Sequence, residues 1–205
     1  MPRLHLEAAL RHLRRADPDL TPLIRRHGPP AFRRTRDPFG ALVRAIIWQQ
    51  LSGSAARTIH GRFAELFGGR NPTPAELLAV PVDRLRQVGL SRGKASFLHD
   101  LAGHFADGRV DPRRFGRASD DEIGEMLMAV KGIGPWSVHM FLMFELTRPD
   151  ILPVGDLGVR KGMQLHFSLR ALPEAARMER LAGPWRPYRS VASWYMWRRI
   201  EEAAR

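Results

Sequence analysis

Gly132 and Gly134 form a Gly-x-Gly turn after Lys131, between two segments with the apolar spacing of helices. Glycine permits positive φ angles and close backbone approach, so the pattern predicts a tight turn. Such a turn leaves free backbone N–H groups at the start of the second helix, and these suit an anion such as a DNA phosphate. That contact would position a protein on DNA without reading its sequence. An ordinary helical hairpin with a glycine turn accounts for the same residues.

A second candidate for chemistry is the carboxylate of Asp156, which directly follows Gly155 at the end of a short loop. A carboxylate can stabilise positive charge that develops in a reaction, and it can orient or deprotonate a water molecule. The local sequence favours an N-cap, in which the side chain accepts a backbone N–H of the next helix. The two functions are compatible, so both stay open at this point.

The elements that must position these residues follow the helical period of apolar residues. The sequence predicts an all-α chain of about ten to twelve helices, without strands. Asp37 and Pro38 predict the start of a helix through FGALVRAIIWQQLS, and Ser119 with Glu122 predicts a capping box. The other predicted helices cover approximately 4–17, 20–26, 54–68, 74–79, 82–88, 91–105, 119–130, 135–146, a segment after 156, and 188–202.

The composition favours a polyanionic partner. Lys and Arg number 33 against 21 Asp and Glu, giving a formal net charge of +12 and a pI near 11.4. The basic residues are spread along the chain, which predicts a basic folded surface that attracts nucleic acid. The alternative explanation of the charge, which the composition favours less, is a basic protein from an arginine-rich, GC-biased genome.

The composition and the N-terminal segment also exclude several classes. The chain has no cysteine, which excludes disulfides, cysteine-ligated zinc and iron–sulfur clusters, and its histidines show no zinc spacing such as HExxH. The N-terminal segment resembles neither a secretory signal nor a membrane span, and Glu7, Asp17 and Asp19 argue against a transit peptide. We therefore expect a cytoplasmic, nucleoid-associated protein without membrane contact.

The stretch VKGIGPWSVHMFLMFELTRPDILPVGDLGVRKG closely resembles the 3-methyladenine DNA glycosylase II branch of the helix-hairpin-helix (HhH-GPD) DNA glycosylases. Its hairpin, its Gly- and Pro-containing loop Asp150–Gly155 and the following Asp156 are the features that carry the resemblance. AIIWQQLS is similar to the first core helix of that family, and WRPYRSVASWYMW to its C-terminal helix. Together these matches cover most of residues 38–205.

The resemblance implies a single catalytic unit over 1–205, with two helical lobes and a central cleft. One lobe would comprise residues 38–130, and the other residues 1–37 with 131–205. About 37 residues precede the first core helix, so no N-terminal β domain is expected.

The resemblance also implies the reaction. Asp156 would stabilise the oxocarbenium-like sugar while the N-glycosidic bond of an alkylated purine is hydrolysed. Members with lyase activity carry a lysine two positions after the second glycine. Trp136 stands there instead, and Lys131 precedes the turn, so the expectation is a monofunctional glycosylase. Lys161 is expected to contact phosphate.

The resemblance assigns a base pocket, a duplex plug and a cation site. Trp136 and Trp197 would stack on the flipped base, with Trp48 a weaker candidate, while Phe141 and Phe144 fit core packing better. Met140 and Leu157 stand at pocket positions where tyrosine is common, and Gln50 or the adjacent Leu51 would be the plug.

The resemblance also places Gly132, Ile133 and Gly134 at a DNA phosphate. The carbonyls of Met128, Val130 and Ile133 would surround a structural Na⁺ or K⁺.

The expected partner is duplex DNA with an alkylated base, bound by a monomer that requires no cofactor. The lesion stays open among 3-methyladenine, 7-methylguanine, 1-methyladenine, ethenoadenine and hypoxanthine. The sequence leaves three alternatives: a non-catalytic helix-hairpin-helix DNA-binding module, an adenine- or oxoguanine-directed glycosylase with lyase activity, and a basic RNA-binding protein.

Overall fold

Capping residues in the sequence mark where several helices begin. A computed structural model of the protein describes residues 4–204. Asp37 accepts a hydrogen bond from the Gly40 N–H at 2.8 Å, with Pro38 as the first helical residue. Ser119 and Glu122 form the predicted capping box.

Residues 4–204 form twelve α-helices and no β-strand, which confirms the all-α prediction. The α-helices are α1 (Leu6–Ala16), α2 (Thr21–His27), α3 (Pro38–Trp48), α4 (Gly53–Glu65), α5 (Pro74–Ala79), α6 (Val82–Gln87), α7 (Arg92–Ala106), α8 (Asp120–Met128), α9 (Pro135–Met140), α10 (Leu157–His166), α11 (Ala175–Leu181) and α12 (Arg189–Ala203). Short 3₁₀ turns cover Pro18–Leu20, Pro112–Gly116 and Gly183–Trp185. None of the described helices has the length and apolar character needed to cross a membrane.

Three elements differ from the prediction. Helix α3 ends at Trp48, so the residues Gln49–Ser52 form a loop and Gln50 has a φ of 55°. The helix after the hairpin widens into a π-helical turn at Phe141–Glu145. Helix α11 was not predicted, although its apolar residues do recur at helical spacing.

The helices group into two compact units. The hairpin unit comprises residues 35–141, and the aspartate unit comprises the described residues within 1–34 and 142–205. The boundary after residue 141 differs from the predicted one after 130. Contacts with α7 explain the difference, because Asp100 accepts the Lys131 N–H at 2.8 Å and the Phe97 ring lies against Gly132.

The core of the aspartate unit is built around the packing of α10 on α12. Gly162 allows this approach, because a Cβ there would lie 2.3 Å from the backbone oxygen of Met196. The same core holds a polar group: Asp17, at the end of α1, accepts a hydrogen bond from Trp185 and pairs with His166, both at 2.8 Å.

Asp17→Asn is expected to lower the free energy of unfolding at neutral pH by about 1–3 kcal/mol. Burial raises the pKa of Asp17, but the hydrogen bonds of His166 and Trp185 outweigh it and hold that pKa below its usual 3.8. The carboxylate therefore contributes fully above pH 3.8, and its contribution is lost as the pH falls through the folded-state pKa. Urea unfolding between pH 7 and pH 3 should show the difference from wild type narrowing below about pH 4. Asp19→Asn, at an exposed side chain, is the control. A difference that stays constant over this range would contradict the assignment.

Candidate active site

The carboxylate of Asp156 is fixed by two hydrogen bonds that end on the same oxygen. Asp156 is the N-cap of α10, and its Oδ1 accepts the Val159 N–H at 2.7 Å. The indole Nε1–H of Trp197, on α12, donates to the same Oδ1 at 2.9 Å. The side chain is thus held in one orientation by two helices, and the residue is only 8% exposed. The predicted N-cap is present, and its oxygen also accepts the hydrogen bond from Trp197.

Gly158 makes room for this arrangement. A Cβ at residue 158 would lie 2.6 Å from Cδ1 of Trp197 and 3.0 Å from Oδ1 of Asp156. The Trp197 ring also stacks on Phe144, with centroids 5.8 Å apart and planes 25° apart. Phe144 in turn makes an edge contact with Phe32. Trp197 therefore orients the carboxylate in addition to any contact with a base.

The loop that leads to Asp156 is clamped to the start of α12. The buried Ser190 hydroxyl donates to the Arg148 carbonyl at 2.6 Å and accepts the Ile151 N–H at 2.9 Å. Arg189 donates to the Asp150 carboxylate at 2.7 Å. Because α12 also carries Trp197, one helix holds both the loop and the carboxylate. Sequence reasoning missed Ser190 and Arg189, although they lie within the stretch WRPYRSVASWYMW.

The hairpin turn lies in the hairpin unit, and its two glycines differ. Gly132 has a φ of 82°, and a Cβ would lie 2.2 Å from the Phe97 ring, so glycine is required there. Gly134 has an extended backbone, with φ −106° and ψ 178°, which other residues also adopt. The prediction of a special conformation therefore holds for Gly132 only. A Cβ at Gly134 would meet no atom within 4 Å, and the residue is partly exposed at the start of α9.

Exposure separates the predicted pocket and plug residues from core residues. Trp136 is 50% exposed and Trp48 38%, so neither is a core side chain. Phe141 is buried against Phe115, as predicted for a core residue. The other predicted residues are exposed or partly exposed: Leu51, Gln50, Met140 and Met128 in the hairpin unit, and Leu157 and Lys161 in the aspartate unit.

The carbonyl oxygens predicted to hold a cation lie near the hairpin. Met128 is the last residue of α8 and Val130 comes two residues later, just after the C-cap Ala129, in the region where carbonyls lack intrahelical partners and carry the negative end of the dipole. Val130 O accepts the Ile133 N–H at 3.1 Å, which leaves its second lone pair available. Within residues 4–204, no group of three or more His, Cys, Asp or Glu side chains is placed to hold a metal ion.

Comparison with known proteins accounts for this combination of hairpin, loop and aspartate. Residues 43–187 match the model of the HhH-GPD superfamily of base excision DNA repair proteins. The chain belongs to this superfamily. The matched range contains the hairpin and Asp156, and it ends before α12.

Relatives in the superfamily are similar over most of their length. The DNA-3-methyladenine glycosylase 1 of Schizosaccharomyces pombe is 32% identical over 87% of this chain and 79% of its own. The crystal structure of a DNA-3-methyladenine glycosidase from Bacillus halodurans has a TM-score of 0.86 at 32% identity, covering 96% of this chain and 90% of its own. The structure of the Schizosaccharomyces pombe 3-methyladenine DNA glycosylase in complex with abasic DNA has a TM-score of 0.79 at 31% identity, covering 93% and 95%.

Proposed function

We propose that this protein is a monofunctional DNA glycosylase that removes alkylated purines of the 3-methyladenine and 7-methylguanine type from duplex DNA. The observation that carries the proposal is the Asp156 carboxylate, which Trp197 and the α10 backbone hold in one orientation. Membership of a base excision repair superfamily and the names of the relatives support the same substrate class.

In the proposed reaction, the bond between C1′ and the base nitrogen breaks and its electron pair leaves with the base. An alkylated purine carries a positive charge, so it departs as a neutral molecule. Asp156 stabilises the positive charge that develops on the sugar, and it orients the water that adds to C1′. The proton of that water passes to the carboxylate and then to solvent, which leaves a free base and an abasic site.

The exposed tryptophans are proposed to hold the extruded base. The electron-rich faces of Trp136 and Trp48 attract a cationic purine by stacking and cation–π interaction. Met140 would add apolar surface in the hairpin unit, and Leu157 would do so beside Asp156 in the aspartate unit. Because both side chains lack a hydroxyl, lesions would be discriminated by charge and shape more than by hydrogen bonds.

The DNA backbone is proposed to lie on the hairpin. The turn formed by Gly132, Ile133 and Gly134 would bind a phosphate at the partly exposed backbone of Gly134, while the Ile133 N–H stays bonded to Val130 O, and the exposed Lys161 would bind a second phosphate. A Na⁺ or K⁺ ion would be held by the carbonyls of Met128, Val130 and Ile133 and would supply charge for the phosphate. Gln50, or Leu51 beside it, would fill the gap that the extruded base leaves.

The absence of lyase chemistry is proposed from Trp136. A lyase needs an amine to form a Schiff base with C1′, and the indole ring has no nucleophilic amine. Acting alone on chromosomal DNA, the protein would work as a monomer in the cytoplasm, at the nucleoid.

The protein is expected to release free methylpurines from alkylated duplex DNA, and the strand should break only after hot alkali is added. Chromatography of the released bases and gel analysis of the strand measure both properties. A stable enzyme–DNA adduct after borohydride reduction would contradict the monofunctional assignment. Normal DNA binding with no base released from any alkylated duplex would sink the glycosylase proposal and favour a DNA-binding module.

A further inference from the structure

Lys94 lies against the end of a helix other than its own. It is in the first turn of α7, after the Ser91 cap, where the helix dipole disfavours a positive charge. Its Nζ donates to the carbonyls of Ile47 and Gln49, both at 2.7 Å. These carbonyls lie at the end of α3, where the backbone lacks intrahelical donors and a cation is favourable. Burial lowers the pKa of Lys94, which agrees with an ammonium group directed into the protein.

The two carbonyls lie just before Gln50. Gln50 has a φ of 55°, in the left-handed region that few residues other than glycine adopt. Such a conformation costs energy and persists only where the surrounding structure fixes it. By binding Ile47 O and Gln49 O, Lys94 fixes the chain at two points immediately before that residue. Loss of the ammonium group would free the loop to adopt other conformations.

The same loop is joined to the hairpin turn. The side-chain amide of Gln49 donates to the Gly132 carbonyl at 2.9 Å. Helix α7, which carries Lys94, also contacts the hairpin turn, because Phe97 lies against Gly132 and Asp100 accepts the Lys131 N–H. All these contacts lie within the hairpin unit.

We propose that Lys94 is a positioning residue that presents Gln50 for insertion into duplex DNA, and that Gln49 couples this loop to the phosphate-binding turn. The inference rests on the proposed function in two respects, the role of Gln50 as the plug and the binding of a phosphate at the turn. Lys94 would act through the direction of the Gln50 side chain, without touching DNA itself.

The test compares binding to two duplexes of one sequence, one intact and one with a tetrahydrofuran abasic analogue, whose gap the plug can fill. The wild type should prefer the abasic duplex, and Lys94→Met should reduce that preference about tenfold, while affinity for intact DNA is unchanged. The double variant Lys94→Met/Gln50→Ala should lose no more preference than Gln50→Ala alone, because both changes disable one plug.

Two further variants keep the test decisive if Lys94→Met folds poorly. Gln49→Met, in a surface loop, should lower the preference without lowering the melting temperature. Lys94→Cys treated with 2-bromoethylamine regains an ammonium group, and reaction is confined to that site because the chain has no other cysteine. The treatment should restore the preference.

A wild type without preference for the abasic duplex would overturn the inference. So would full preference in Lys94→Met, or losses that add in the double variant. Since this binding needs no reaction, failure of the wild type to release methylpurines would sink the proposed function without deciding the role of Lys94.

Discussion

Asp156→Asn should lower the rate of methylpurine release by about a thousandfold, the largest loss expected of any single substitution in this protein. Asparagine caps helices as well as aspartate does, and its side-chain oxygen can still accept from Val159 and Trp197. The substitution therefore removes the negative charge while it keeps the geometry. Single-turnover release from methylated duplex DNA measures the effect without a contribution from product dissociation.

Asp37→Asn is a matched control, because Asp37 is also an N-cap whose side chain accepts a backbone N–H at 2.8 Å. It should release bases at the wild-type rate, and both variants should bind intact duplex DNA normally. If Asp156→Asn kept its rate within tenfold of wild type, the carboxylate would not be the group that stabilises the sugar cation.

Local signals made the starts of the helices predictable. Two helix starts are predicted from at most four consecutive positions, one by Asp37 with Pro38 and one by Ser119 with Glu122. No distant contact is needed to interpret them. The same is true of Asp156, for which the cap before α10 could be predicted from its neighbours.

Contacts between distant residues decided what the sequence did not reveal. The apolar period of α3 continues through Leu51, yet the helix ends at Trp48, where Lys94 binds the free carbonyls. The bond from Trp197 to Asp156 joins residues 41 positions apart and depends on Gly158, the second residue of α10. Neither Lys94 nor Gly158 has a local sequence signature, because a lysine in the first turn of a helix and a glycine within a helix are both common.

Gly158→Ala should lower the rate of base release by about a hundredfold, the second-largest effect expected. The new methyl group would lie 2.6 Å from the Trp197 ring and 3.0 Å from the Asp156 carboxylate, so one of them must move. A displacement of about 1 Å at a reacting group is enough for such a loss. The same single-turnover assay measures it, and thermal unfolding reports any loss of packing.

Gly103→Ala is the matched control for this substitution, because Gly103 also lies in a helix and a Cβ there would meet no atom within 4 Å. It should keep the wild-type rate and gain slightly in stability. Trp197→Phe then separates the two contacts of the indole ring, since phenylalanine can still stack on Phe144 but cannot donate to Asp156. If it loses as much activity as Gly158→Ala, the hydrogen bond is the contact that matters. If Gly158→Ala itself retains the wild-type rate, Asp156 does not need Trp197 in this position.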